Sequence, residues 1–146
     1  LAPSPIACVV TRSGELDLDL PLFEDPDSTV VVFTAGKPAS VSCPADVHVV
    51  AIAPAELEPQ TILRRLRADH GVRSVLCEGG PTLNAALLRA GVVDELFLSV
   101  APVIAGGLHP LTIVAGDLTA PARLELRWVL EADSALFLRY GVMTDE

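Results

Sequence analysis

The chain has 146 residues, 51% of them hydrophobic, which suffices for one domain with an ordinary core and excludes a disordered or fibrous protein. Ten basic residues against nineteen acidic ones give a formal net charge of -9, which argues against the broad basic surface that nucleic acid or anionic membrane requires. No apolar run reaches the ~18 residues of a membrane span. We therefore expect no nucleic acid or membrane partner, and any anionic ligand must be bound by a few side chains and backbone N–H groups.

The cysteines and histidines indicate neither disulfides nor metal. The cysteines are odd in number and form no C-x-x-C pair, and two of them lie in apolar runs that predict small buried residues: Cys8, Cys43 and Cys77. The histidines have no metal-ligand spacing: His48, His70 and His109. We expect a reducing cytoplasm and no metal site.

The first half of the chain predicts three strands and a helix. Residues 6–11 form an apolar β-branched run that stops at a turn beginning with Arg12. A second such run, from Ser28 through Thr34, stops at Gly36, and residues 46–54 form a third. From Gln60 the apolar side chains recur at helical spacing, and Gly71 is placed to end that helix.

The second half predicts a buried strand, a helix and a hairpin. Residues 73–78 have an unbroken apolar middle, typical of a central parallel strand. A helix begins at Pro81 and stops at Gly91, and a fifth strand follows in "DELFLSV". Two further runs, separated by residues 131–134, predict an antiparallel hairpin. The predicted fold is α/β, with three layers and a mostly parallel sheet that ends in a C-terminal antiparallel hairpin.

Ligands of open α/β sheets bind at the carboxyl ends of the strands, so the residues that follow each strand are the candidate site. The pair Gly79-Gly80 and the helix that begins at Pro81 could bind a pyrophosphate through free N–H groups, although a short Gly-rich segment is equally compatible with a tight turn alone. Arg12 and Ser13 suit a phosphomonoester such as the 2′-phosphate of NADP, but a solvated turn fits them as well.

Glu78 is the remaining polar residue at the end of a predicted strand. Its carboxylate could accept hydrogen bonds from a substrate amide or amine, or it could hold loop N–H groups in place. Nothing in its immediate sequence favours either role.

Four segments together resemble a known family: "VVTRSGELDLDLPLF", "VVVFT", "SVLCEGGPTLNAALLRAGVVDELFLSVAPVIAGG" and the closing hairpin. They are similar to the C-terminal part of the bifunctional deaminase-reductases, the pyrimidine reductases of the riboflavin pathway, which have a dihydrofolate-reductase-like fold. The resemblance implies NADPH as cofactor and hydride transfer to a ribosylamino-pyrimidine. No residue of the chain is a convincing proton donor, so the catalytic residue stays unassigned.

The resemblance also implies roles for individual residues. Thr11, Arg12 and Ser13 would bind the adenosine 2′-phosphate, Thr34 would lie along the cofactor, and Glu78 would face the substrate. The pyrophosphate and nicotinamide side would be lined by Gly79, Gly80, Pro81, Thr82 and Leu83. These roles agree with the positions that the residues alone single out.

The chain also departs from the family pattern. Family members begin with an "SLDG"-type strand, a helix and a glycine-threonine loop, so we expect residues 1–146 to be a single reductase-like domain that lacks its N-terminal strand and helix. The H-x-E and P-C-x-x-C signature of zinc deaminases is absent from the sequence.

Two alternative functions remain open. The chain could reduce a pterin or another small imine, or it could be a non-catalytic NADP-binding or oligomerisation module. A homodimer is expected from the family and from the apolar fifth strand and terminal hairpin, which would otherwise leave an exposed sheet edge.

Overall fold

A computed structural model of the chain describes residues 5–36, 41–107 and 112–143. The chain divides into two compact units, Leu1–Val72 and Arg73–Glu146, and each contains its own three-stranded sheet. The single domain predicted for residues 1–146 stays a prediction.

The first unit contains a parallel sheet. Its elements, in chain order, are β1 (Ala7–Thr11), α1 (Pro21–Glu24), β2 (Thr29–Thr34), β3 (Asp46–Ala51), a 3₁₀ turn (Pro54–Glu56) and α2 (Pro59–His70). The strands lie in the order β1-β2-β3, and Thr34 is paired with Thr11 on one side and with Ala51 on the other. All three strands therefore end at the same edge of the sheet, as the sequence predicts.

The central strand β2 is buried on both faces. Its alternate side chains point to opposite sides, so Val31 and Phe33 pack with Leu66 of α2, while Val30 and Val32 pack with Phe23 of α1. These four β2 residues are at most 1% exposed. Helices thus cover both faces of the sheet, which confirms the three-layer arrangement in this unit.

Local signals set the helices of the first unit. Helix α2 starts with Pro59 and ends where Gly71, at φ +66°, donates its N–H to the carbonyl of Arg67, which confirms the predicted C-terminal glycine. The short helix α1 is not predicted by the sequence, because a four-residue helix has too few residues for a periodic pattern. It begins at Pro21 and serves to bury Phe23 completely.

The second unit contains an antiparallel sheet and one helix. Its elements are α3 (Pro81–Arg89), β4 (Glu95–Val100), β5 (Arg123–Ala132) and β6 (Ala135–Met143), with the strands in the order β4-β6-β5. The predicted hairpin is confirmed. Its two-residue turn has Asp133 at φ 53° and Ser134 at φ 64°, the pair of positive values that matches the twist of two antiparallel strands.

Strand β5 contains a bulge at Arg127. Leu126 is opposite Tyr140 and Trp128 is opposite the next residue, Arg139, so Arg127 is the extra residue of β5 at this point. The Arg127 guanidinium pairs with Glu125 at 3.1 Å. The bulge therefore interrupts the strand without leaving the side chain of the extra residue unpaired.

The second sheet exposes much of its apolar surface. Phe97 is 56% exposed, Leu126 51% and Leu130 59%. Phe97 contacts Trp128 edge to face at 6.3 Å between ring centroids, and the Arg139 guanidinium lies 5.5 Å from the Phe97 ring. Aromatic and arginine side chains grouped in this way are typical of protein interfaces.

The structure contradicts the fourth predicted strand. Residues 73–78 form no strand, and within them Val75 is 49% and Leu76 76% exposed. An apolar pattern shows which residues suit a sheet interior, but a strand also needs a neighbour to bond its N–H and C=O groups, and the structure pairs this segment with none of the described strands. Two cysteines expected in buried runs, Cys8 and Cys77, are exposed as well.

Candidate functional site

The turns that follow β1 and β2 pack directly against each other. A Cβ atom added to Gly36 would lie 2.0 Å from the carbonyl oxygen of Ser13 and 2.9 Å from the amide nitrogen of Gly14, so only glycine permits this approach. The amide of Ala35 also donates to the carbonyl of Thr11 at 3.4 Å. The structure thus brings together the predicted residues of the first unit at one edge of its sheet.

Short polar contacts order the first of these turns. The Gly14 amide donates to Thr11 Oγ1 at 3.3 Å, and the Glu15 amide donates to Ser13 Oγ at 3.2 Å. Gly14 has φ +82°, a left-handed conformation that favours glycine. The hydroxyls of Thr11 and Ser13 lie 3.4 Å apart, and together they fix the backbone on either side of Arg12.

Arg12 itself is exposed, and its guanidinium has no hydrogen-bond or ion-pair partner in the part of the chain that the structure describes. A planar guanidinium with free N–H groups binds phosphate oxygens in pairs. Thr11, Arg12 and Ser13 therefore have the chemistry of an anion site on an ordered turn.

Thr34 lies at the same edge but is only 1% exposed, and its Oγ1 accepts the Gly36 amide at 3.0 Å. This hydroxyl holds the glycine turn in place. A ligand at this edge would touch the turn behind Thr34 more readily than its side chain, so the predicted cofactor contact stays a prediction.

The start of α3 presents free backbone donors. Gly80 is the N-cap residue, in an extended conformation with no side-chain cap, and Pro81 occupies the first helical position as predicted. Among the described residues, the amides of Gly79, Gly80, Thr82 and Leu83 have no acceptor, whereas the Asn84 amide bonds to the Gly80 carbonyl. Unpaired N–H groups at the positive end of a helix dipole form an anion-binding site.

The two glycines of this segment differ in their surroundings. A Cβ atom at Gly79 would lie 2.4 Å from Cδ2 of Leu83, so Gly79 packs against that side chain. A Cβ atom at Gly80 would meet nothing within 4 Å. Open space next to free amides leaves room for a ligand at Gly80, while Gly79 lets the chain pass close to the helix.

Glu78 is exposed and accepts no hydrogen bond from any residue that the structure describes. The alternative in which its carboxylate holds loop N–H groups therefore has no support. A free carboxylate beside the start of α3 can accept hydrogen bonds from a ligand amine or amide. It extends from the irregular segment 73–78 rather than from the predicted strand.

Several long-range contacts escaped the sequence interpretation. Gly36 lies at a strand end that the sequence marks as a candidate site, but its contact with Ser13 joins turns that are distant in the chain. Asn84 donates to the Ile113 carbonyl at 2.8 Å, and the Ala115 amide donates to the Pro81 carbonyl at 3.0 Å. No local sequence pattern predicts either hydrogen bond, since each joins residues about thirty positions apart.

Two other kinds of feature, a metal-binding cluster and a membrane-spanning helix, are absent from the described residues. Within residues 5–36, 41–107 and 112–143, no three His, Cys, Asp or Glu side chains are grouped to hold a metal ion, and His109 lies outside these ranges. His48 instead pairs with Asp46 at 3.1 Å. Over the same residues, no helix has both the length and the apolar character that crossing a membrane requires.

Comparison with known proteins shows the family and the fold of the chain. The model of the RibD C-terminal domain matches residues 2–137, nearly the whole chain. The chain belongs to the RibD C-terminal domain family. Its fold is α/β and dihydrofolate-reductase-like, as expected, and Acinetobacter baumannii RibD has the same fold with a TM-score of 0.75 and 26% identity over 95% of the chain.

Two relatives carry names that describe their roles. A 2,5-diamino-6-ribosylamino-4(3H)-pyrimidinone 5′-phosphate reductase from Methanothermobacter thermautotrophicus is 27% identical over 145 residues, which are 95% of this chain and 67% of the relative. The riboflavin biosynthesis protein RibD of Mycobacterium tuberculosis is 40% identical over 77 residues, 51% of this chain and 21% of that protein. The chain spans only 38% of the Acinetobacter protein, so these relatives contain parts that this sequence does not match.

Proposed function

We propose that this RibD-family chain binds NADPH and transfers hydride to a ribosylamino-pyrimidine phosphate, as 5-amino-6-(5-phosphoribosylamino)uracil reductases do. The observation that carries the proposal is the row of free amides at Gly79, Gly80, Thr82 and Leu83, in a family whose archaeal relative is named as a pyrimidinone phosphate reductase. A strongly acidic chain that presents such donors has a local means of binding a dinucleotide.

Two groups of residues have cofactor roles in this proposal. The free guanidinium of Arg12, on the turn ordered by Thr11 and Ser13, would bind the 2′-phosphate that distinguishes NADPH from NADH. The amides at the start of α3 would bind the pyrophosphate, with Pro81 leaving that end of the helix open. When bound, NADPH supplies the hydride.

Glu78 has the substrate role. Its free carboxylate would accept hydrogen bonds from the amino and amide groups of the pyrimidine and so orient the carbon that receives the hydride. The chain's described residues offer no obvious acid at this position, and we assign the accompanying proton to solvent water. Glu78 is thus a substrate-binding residue rather than a proton donor.

The first experiment measures cofactor choice. NADPH and NADH are titrated separately into the protein and followed by nucleotide fluorescence. Arg12→Ala should weaken NADPH binding by about tenfold or more, the value of a charge-assisted hydrogen bond, and leave NADH binding unchanged. Arg67→Ala, an exposed arginine on α2, is the matched control and should change neither. Equal losses for both nucleotides would contradict a role for Arg12 at the 2′-phosphate.

The second experiment tests the start of α3. Gly80→Asp places a carboxylate among the free amides, and because Asp is a favourable N-cap residue the helix should remain intact. We expect NADPH binding to be abolished while the thermal midpoint is kept. Gly106→Asp adds the same charge at a glycine whose Cβ would also meet nothing, and it should bind NADPH normally. Unchanged binding in Gly80→Asp would show that the segment is only a turn.

The third experiment identifies the substrate class by the rate of NADPH oxidation. Glu78→Gln should raise the KM for the pyrimidine while the Kd for NADPH is unchanged, because the substitution removes a charged acceptor and keeps the size of the side chain. Oxidation of NADPH in the presence of dihydropterin but not of the pyrimidine would favour the alternative function, a reductase of pterins. Binding of NADPH without turnover of either compound would favour the non-catalytic module.

Two further features belong to this proposal. We propose a homodimer that covers the apolar surface around Phe97 and Trp128, since patches of this kind mark interfaces. A monomeric mass in sedimentation at micromolar concentration would contradict it. A biosynthetic reductase with three free cysteines also fits a reducing cytoplasm.

A further inference from the structure

The second unit contains a surface pocket at the C-terminal end of α3. The pocket has a volume of about 270 Å³ and is formed by the end of α3, the loop before β5 and the ends of the hairpin strands. Its apolar wall includes Leu88, Val93, Leu118 and Met143. None of the predicted cofactor or substrate residues lines it.

Two arginines and no carboxylate line the pocket. Arg89 contributes from the last turn of α3 and Arg123 from the first residue of β5. Arg123 has no hydrogen-bond or ion-pair partner within the described part of the chain. In a protein with a net charge of -9, a pocket with two cations and no acidic side chain is a local departure from the overall charge.

Hydrogen bonds hold the loop wall of the pocket against α3. Three hydrogen bonds join the loop to the start, middle and end of α3. The Ala115 amide donates to the Pro81 carbonyl, and the Asn84 side chain donates to the Ile113 carbonyl. Arg89 Nη1 donates to the Asp117 carbonyl at 3.1 Å. Gly116 lies at φ +120°, and a Cβ atom there would be 3.3 Å from Arg89 Nη1. The loop is therefore shaped around the Arg89 guanidinium.

The Arg89 guanidinium retains donor capacity for a ligand. It presents five N–H groups, and one nitrogen is engaged by Asp117. The last carbonyls of α3 are occupied by the amides of Ala90, Gly91 and Val92, so the negative end of the helix is partly satisfied within the chain. An arginine fixed by a backbone carbonyl is oriented in advance, which lowers the entropy lost on binding.

We propose that this pocket binds a small organic anion, with a carboxylate or phosphate head on Arg89 and Arg123 and a short apolar body against Leu88, Leu118 and Met143. Guanidinium groups bind oxyanions, and the apolar wall favours a ligand larger than an inorganic ion. The volume suits a molecule of about the size of benzoate or phenyl phosphate.

The pocket is separate from the proposed pyrophosphate-binding amides of α3. Helix α3 has nine residues, so its two ends are roughly 13 Å apart, and the free amides lie at the other end. The proposal consequently does not rest on the reductase function, and either one can fail alone.

The test uses the full chain and four probes: benzoate, phenyl phosphate, and their neutral counterparts benzamide and benzyl alcohol. Binding is followed by shifts of backbone amide signals, which should saturate at Leu118, Ala122 and Met143 with at least one anion. Arg123→Gln should weaken that binding about tenfold or more. Arg67→Gln, outside the pocket, should leave it unchanged.

A second variant guards against a folding defect in Arg123→Gln. Thr119→Glu adds a carboxylate at an exposed residue of the pocket lining and should also weaken anion binding. Saturation with only one anion supports the proposal and identifies the head group. The proposal is overturned if neither anion saturates, if the neutral compounds bind equally well, or if Arg67→Gln weakens binding as much as Arg123→Gln.

Discussion

The two sheets of this chain have the same number of strands but bury them very differently. Every residue of β2 from Val30 to Thr34 is at most 1% exposed, because helices cover both faces of the parallel sheet. In the antiparallel sheet, β5 has exposed residues along nearly its whole length, including Leu126 and Leu130. The first sheet supplies its own core, whereas the second offers apolar surface to be covered.

This difference also affects the candidate site. In the first unit the turns with Arg12 and Gly36 follow strands that are fixed by a complete core. In the second, Glu78 is the last residue of a segment with no strand partner among the described residues, and helix α3 begins at Pro81. We infer that packing positions the candidate residues of the first unit, whereas helix geometry and three hydrogen bonds to one loop position those of the second.

Hydrogen exchange should show the largest contrast. Amides of Val31, Val32 and Phe33 should exchange at least about 1,000-fold more slowly than those of Val75 and Leu76, because only the former lie in a buried ladder. Native-state exchange read by amide NMR measures this ratio. Comparable protection at Val75 would show that residues 73–78 pair as a strand after all.

Loss of a phenylalanine ring should destabilise the protein more in the first sheet than in the second. Phe33→Ala removes a ring that is 1% exposed and should lower the free energy of unfolding by about 3–5 kcal/mol. Phe97→Ala removes a half-exposed ring and should cost roughly 1–2 kcal/mol from its contacts with Trp128 and Arg139. Urea unfolding gives both values, and equal losses would remove the distinction between the sheets.

Thiol reactivity should separate Cys8 from Cys77. Although Cys8 is exposed overall, desolvation of its thiol raises the pKa from 9.0 to about 11, so at pH 8 about 100-fold less thiolate is present than for an ordinary thiol. Iodoacetamide should modify the exposed Cys77 first, and the rate at Cys8 should keep rising between pH 9 and pH 11. Mass spectrometry locates the label, and the urea-unfolded chain, in which this difference should disappear, is the control.

Alanine substitutions of Gly36 and Gly80 should show the smallest difference in stability between the two units. Gly36→Ala drives a Cβ atom into the Ser13 backbone and should cost about 1–3 kcal/mol of stability. Gly80→Ala meets no protein atom within 4 Å and should cost about 1 kcal/mol or less. Thermal unfolding compares the two, and a larger loss at Gly80 than at Gly36 would contradict the expected order.

The sequence predicted those elements whose signals are local. Gly71 ends α2, Pro81 starts α3, and the β5–β6 hairpin needs only two neighbouring runs and a short turn. The α/β class and the strand-end position of Arg12 followed from the order of these elements. The resemblance to the RibD family, which the comparisons confirm, supplied the cofactor and substrate hypotheses.

What the sequence could not predict depends on contacts between distant residues. Residues 73–78 have the pattern of a strand, but pairing requires a partner that the pattern does not specify. Local sequence patterns likewise do not predict that Gly36 contacts Ser13, nor that α3 forms hydrogen bonds with the loop before β5. The exposure of Cys8 and Cys77 shows the same limit, since an apolar run does not determine which of its side chains are covered.

The bulge at Arg127 has a consequence for how this hairpin tolerates changes in length. Before the bulge, Leu124 and Leu126 share a face with Tyr140 and Val142; after it, Val129 continues that face opposite Leu138. One extra residue therefore switches the odd-even phase of the strand, so Trp128 and Leu130 lie on the other face from Leu124 and Leu126. Removal of Arg127 would leave this pattern intact, whereas a single deletion elsewhere in β5 would turn half of the strand over. Position 127 is thus where a homologous chain could lose a residue without exchanging the two faces of its sheet.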